Sequence, residues 1–89
     1  MNWTIKFTEK AFKVLEKMER IERNRIMNFL EITLPSYENP RAVGAALQGA
    51  LSGSWKYRVG DYRILCRIFD NELVVSILEI GHRKEIYKH

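Results

Sequence analysis

Apolar and polar residues alternate one by one over Trp3-Thr4-Ile5-Lys6-Phe7, the period of a short strand. At Thr8 the period lengthens. Phe12, Leu15 and Met18 recur at helical spacing, with Lys13, Glu16 and Lys17 on the other side, which predicts a helix over 8–17. The Thr8 hydroxyl suits its N-cap, and Glu9 in the first turn suits the positive end of the helix dipole. A second stripe of Ile21, Ile26, Phe29, Leu30 and Thr33 predicts a helix over 19–34. Arg20, Glu22, Arg23, Asn24 and Arg25 make its polar side, read as a solvated face, with contact to a partner protein or nucleic acid as the alternative. The short break between Lys17 and Arg20 predicts an antiparallel helical hairpin. Pro35, with no amide donor and a ring that clashes with the preceding turn, ends the second helix.

Residues 35–54 read as an irregular connector. Asn39-Pro40 starts a turn, residues 42–47 suggest one helical turn, and Gly44, Gly49 and Gly53 punctuate the rest. Three β-type runs follow at 54–59, 62–69 and 72–80, divided by the turn signals Gly60-Asp61 and Asp70-Asn71. The last run, Leu73-Val74-Val75-Ser76-Ile77-Leu78, is apolar on both sides and is expected to be central with both faces covered. The helical hairpin has one place to bury its stripe, the apolar face of this sheet. The expected architecture is therefore a single α+β domain over 1–89: a short strand, a two-helix antiparallel hairpin and an antiparallel meander, in the order β-α-α-β-β-β.

With 46% hydrophobic and 29% charged residues in 89, the chain has the composition of a folded protein. A net charge of +4 favours an anionic partner, either nucleic acid or an acidic protein segment. Cys66 is the one cysteine, which excludes an intramolecular disulfide and a cysteine metal cluster, and it reads as a small packing residue. The amino terminus lacks a signal-peptide pattern and no apolar run is long enough to span a bilayer, so the cytoplasm is expected, with no membrane partner.

The cations of the C-terminal third are placed in alternation. Lys56 and Arg58 fall between Trp55, Tyr57 and Val59, so they share one strand face while the apolar residues take the other, and Arg63 and Arg67 follow in the next run. Such a face is either ordinary solvated surface or the seat of a polyanion. Glycine-rich phosphate loops, the Gly-x-Ser-x-Gly element and metal-ligand spacings are all missing from the sequence. The residue types present fit metal-independent chemistry at a phosphodiester. There a ribose 2′-hydroxyl attacks in line while cations stabilise the developing charge. Lys56, Arg58, Arg63 and Arg83 supply charge, Tyr87 can stack on a splayed base, and His82 can move a proton near neutrality.

The segment from Trp55 to Ile64 and the ending Gly81-His82-Arg83-Lys84-Glu85-Ile86-Tyr87 closely resemble the RelE/ParE toxin superfamily, in particular its RelE/StbE branch. The order of elements, the Asn39-Pro40-Arg41 connector and the Leu47-x-Gly49 step fit as well, so the resemblance covers nearly the whole chain. It implies a RelE-like fold and the toxin of a type II toxin–antitoxin pair. RelE members enter the ribosomal A site and cut the bound mRNA, leaving a cyclic phosphate and a 5′-hydroxyl. Carried across by position, Lys56 matches the first of two family lysines. Arg58 stands where RelE has the second, and an arginine, always protonated, is a poor base suited to binding phosphate. Proton acceptance then falls to Lys56 or His82. Arg63 matches the arginine that stabilises the transition state, Arg83 the one assigned to leaving-group protonation or charge neutralisation, and Tyr87 the tyrosine that stacks on mRNA. His82 replaces a basic residue and reads equally as a turn residue facing solvent.

The resemblance implies a cognate antitoxin, acidic where it meets the toxin, and a toxin–antitoxin complex that reaches operator DNA through the antitoxin. It also implies the ribosome and mRNA as partners, and no cofactor. Two alternatives remain at this point: a ParE-type poison of DNA gyrase on the same fold, and an antitoxin-binding module without toxicity.

Overall fold

The computed structural model describes residues 3–82. Among these residues five strands form one sheet: β1 (Thr4–Phe7), β2 (Ala45–Ala46), β3 (Trp55–Val59), β4 (Tyr62–Phe69) and β5 (Val74–His82). Their order across the sheet is β1-β5-β4-β3-β2. Helices α1 (Glu9–Lys17) and α2 (Arg20–Asn28) lie between β1 and β2 in the chain. The expected α+β fold is present, with two changes to its sheet. The first strand pairs parallel with the last, so the sheet is mixed, and the connector contributes the extra strand β2.

Thr8 joins strand, helix and sheet. Its amide donates to the Ile77 carbonyl (3.0 Å), continuing the β1–β5 ladder by one bond. Its hydroxyl donates to the Leu78 carbonyl (2.8 Å) and accepts from the Ala11 amide (3.2 Å), capping α1. Leu78 is the extra residue of a β-bulge: Leu65 pairs with Glu79 but Cys66 with Ile77, so Leu78 has no partner on β4. The bulge shifts the alternation of β5 by one position. Ile77 and Ile80 therefore both enter the core, opposite Cys66 and Ile64, while β4 keeps strict alternation.

The helices cover one face of the sheet. Ala11 and Leu15 of α1, Ile26 of α2 and the following Leu30 and Leu34 meet Tyr57, Val59, Ile64, Cys66, Val75, Ile77 and Ile80. The stripe of the first helix differs from expectation. Ala11, not Phe12, joins Leu15 as a buried residue, and Phe12 stays 52% exposed, because burying two positions four apart turns the intervening Phe12 toward the rim. Ile21, also expected in the core, is 71% exposed in the first turn of α2. The second helix does not run regularly to residue 34. After Asn28 it widens into a π-helical turn (Phe29–Thr33) and tightens into a 3-10 turn (Leu34–Ser36). Pro35 cannot donate the next helical hydrogen bond, and the wide turn, closed by the Leu34 amide on the Phe29 carbonyl, precedes it. Phe29 is thereby set over β3, its ring 5.4 Å from that of Tyr57.

The connector is ordered by β3. The Tyr57 hydroxyl, fully buried, donates to the Pro40 carbonyl (2.6 Å), and the Trp55 indole donates to the Val43 carbonyl (2.9 Å). Residues 42–47, expected to turn helically, instead leave a 3-10 turn (Pro40–Ala42) and pair as β2 with Trp55 and Lys56. Arg41 grips Asp70 with two hydrogen bonds (2.7 and 3.0 Å), tying the connector to the β4–β5 turn. β5 is interior as expected, but only its Val75, Ile77 and Ile80 side is buried under helices; the other is half-buried. Burial pushes the Cys66 thiol up to about 12, so it packs as a neutral group.

Two outcomes are expected. Thr8→Val, which keeps the shape but removes the hydroxyl, should cost about 1–2 kcal/mol in urea unfolding, whereas Thr8→Ser should retain most of that. The Arg41 hydrogen bonds hold the Asp70 carboxyl below the usual carboxylate range. Its contribution is therefore complete above the unfolded-state pKa and is lost as pH falls through the lower folded-state value. The melting temperature of Asp70→Asn should fall below that of the parent at neutral pH, and the gap should narrow as pH falls through the lowered folded-state value.

Candidate functional site

β3 and β4 form a tight hairpin because Gly60 takes a positive φ of 60° that lets two residues reverse the chain. The register sets Arg58 directly opposite Arg63 and Lys56 opposite Leu65, so all three cations leave the sheet on the face away from the helices. Lys56, Arg58 and Arg63, with Gly44, Ala45 and Tyr57, line a cleft of about 260 Å³. Lys56 and Arg58 share one strand face as expected, and Arg63 joins them there.

Its electrostatics are one-sided. Two guanidinium groups on directly opposed positions repel each other unless an anion lies between them. Arg58 is partly held, its Nε donating to the Gly60 carbonyl (3.3 Å) at the hairpin tip. Arg63 is half-buried, and its Nη1 is shielded from solvent with no hydrogen-bond partner among the described residues. An unmet charged donor is costly to bury, and an oxyanion is the partner that meets it best.

His82 is placed elsewhere. It pairs with Tyr62, on the helix-covered side of the sheet, and its ring stands edge-on to Tyr62 at 6.0 Å. It lines a different cavity of about 450 Å³ with Val14, Lys17, Met18, Tyr62, Ile80 and Gly81. The bulge at Leu78 decides this, since it resets which residues of β5 face the helices. Arg83 and Tyr87 lie outside the described residues.

Two contributors to the cleft carry no chemical signal in the sequence. Gly44, at φ +83°, lets the connector press on β3: a Cβ there would lie 2.3 Å from the Lys56 carbonyl and 2.6 Å from the Trp55 indole nitrogen. Ala45 then lies beside Lys56 as its strand partner, and its small side chain keeps the wall low.

The ParE toxin model, describing the toxin of the type II parDE toxin–antitoxin system, matches residues 5–87. Toxin RelG of Mycobacterium tuberculosis is 34% identical over 88 residues, covering 99% of this chain and 99% of that protein. Among solved structures, the toxin–antitoxin complex RelBE2 of Mycobacterium tuberculosis contains a chain similar at TM-score 0.82 and 32% identity, with 93% of each chain covered. A chain of the intact E. coli RelBE complex is similar in fold at TM-score 0.70, with 18% identity, 90% of this chain and 95% of that one covered.

Gly44→Ala should destabilise the protein by about 1–3 kcal/mol in urea unfolding, because it combines a positive φ with a clash against the Lys56 backbone.

Proposed function

The chain belongs to the RelE/ParE toxin superfamily of type II toxin–antitoxin systems, and on that premise we propose that it is a ribosome-dependent mRNA endonuclease. The observation that carries this reading is the shielded Arg63 Nη1, without a hydrogen-bond partner among the described residues, in a cleft it shares with Lys56 and Arg58. A phosphodiester supplies the missing acceptor. With the ribosome holding mRNA in its A site, the 2′-hydroxyl attacks the adjacent phosphorus. The 2′-oxygen–phosphorus bond forms, the phosphorus–5′-oxygen bond breaks, and a cyclic phosphate and a 5′-hydroxyl result.

Arg63 and Arg58 bind the phosphate oxygens and gain strength as negative charge develops on them. Lys56 accepts the 2′-hydroxyl proton; it lines the same cleft, while His82 opens onto the other cavity. Arg83 neutralises or protonates the 5′-oxygen, and Tyr87 stacks on a base. The protein works in the cytoplasm, inhibits translation, and is held inactive by a cognate antitoxin whose acidic segment covers the cationic cleft. That complex meets operator DNA through the antitoxin. Among the described residues no helix is long and apolar enough to cross a membrane. The ParE description of the matching family model favours one other reading, a non-nuclease poison of DNA gyrase.

Primer extension on a reporter mRNA, after a brief pulse of expression in bacteria, separates the two. Cuts within translated codons are expected, and they should vanish when translation of the reporter is blocked. Arg63→Ala should lower the cutting rate about 10²–10³-fold, the loss typical of one donor to a developing oxyanion. Lys56→Ala should cost about 10²–10⁴-fold if it is the proton acceptor. Intact mRNA together with an induced DNA-damage response would overturn the nuclease in favour of the gyrase poison.

A further inference from the structure

The register carries positive charge on the open face well beyond the cleft. Lys6 of β1, Ser76 of β5 and Arg67 of β4 are successive partners across three strands, so their side chains leave the sheet on one side. That side is the one of Arg63, because Arg63, Leu65 and Arg67 alternate with the core residues Ile64 and Cys66. Both Lys6 and Arg67 are exposed. Among the described residues neither belongs to an ion pair. Glu79, the carboxylate on the row between, is drawn to Lys10 at the sheet edge (3.3 Å). The Arg67 guanidinium rests against the backbone of the loop before β3: its Nη2 lies 3.0 Å from the place of a Cβ on Gly53. Four residues of strand set Arg67 about 13 Å from Arg63, too far for one phosphate to satisfy both.

We propose that Lys6 and Arg67 form a second phosphate-binding row, which holds the RNA backbone at nucleotides away from the one that is cut. The inference rests on the RNA-cleaving reading above and extends its substrate contact from one phosphate to a tract. Cations aligned on an open sheet face can follow a single strand without reading its bases. The phosphates are those of the mRNA strand on either side of the cut.

The test is fluorescence anisotropy of the whole protein with an uncleavable 2′-O-methyl RNA of about ten nucleotides, titrated with salt, and with a trimer of about three. A second arm measures binding to purified ribosomes. For the double variant Lys6→Ala/Arg67→Ala, affinity for the longer RNA should fall several-fold and its salt slope by about 1.4, two contacts at about 0.7 each. Trimer binding should not change, and Lys6→Arg/Arg67→Lys should restore the slope. A loss confined to the ribosome arm would overturn the substrate row and point to ribosomal RNA as what these cations meet. Affinity and slope unchanged in both arms, with an unchanged melting temperature, would overturn the row. Cleavage by the parent protein is scored separately. A parent that cuts mRNA while the double variant binds normally removes the row and leaves the nuclease; a parent that cuts nothing while the double variant loses binding does the reverse.

Discussion

The three hydrogen bonds of Thr8 are the joint on which this fold turns. One residue ends β1, caps α1 and satisfies the carbonyl that the β5 bulge leaves without a ladder partner. A bulge is tolerated where its stray backbone groups find partners, and here the partner is supplied by the helix cap itself. The consequence spreads along β5. With the alternation shifted at Leu78, Ile77 and Ile80 both reach the core and Gly81 falls beside Arg63 on the open face. Without the shift, a strand whose side-chain period is two would turn one of those isoleucines out to solvent.

The cationic cleft is the other side of this economy of faces. Helices cover one side of the sheet and take most of its large apolar residues, so the polar positions of β1, β3 and β4 collect on the other. The core fixes Tyr57 and Val59 on β3 and Ile64 and Cys66 on β4, and their neighbours Arg58 and Arg63 are forced into direct opposition. Like charges so placed weaken a bare sheet. Among the described residues the shielded Arg63 Nη1 has no hydrogen-bond partner, and an anion would meet that donor and relieve the opposed charges. The connector closes the cleft from one end, held by the Tyr57–Pro40 and Trp55–Val43 bonds and by a glycine with no room for a side chain.

Much of this was legible in the linear pattern. The alternation over Trp3 to Phe7, the helical cap at Thr8, the turn signals at Gly60-Asp61 and the face shared by Lys56 and Arg58 all reflect local periods of two or 3.6 residues. The resemblance to the RelE/ParE toxins rests on residue identity and carried the family. Where periodicity misled, the cause was phase: burial of Ala11 and Leu15 in α1, and of Ile26 in α2, turns the helices so that Phe12 and Ile21 stay outside. β2 escaped notice because two residues, Ala45 and Ala46, are too few to show a period.

The sequence by itself determined the kinds of element, the strand faces and the stock of cations, since each depends on neighbours within a few positions. Tertiary structure decided how those pieces meet. The parallel seat of β1 beside β5, the bulge at Leu78, the separation of His82 from the Lys56 cleft and the burial of Arg63 Nη1 all arise between residues far apart in the chain. Such contacts are chosen by which packing satisfies the most backbone groups and buries the most apolar surface at once, and no local period encodes that sum.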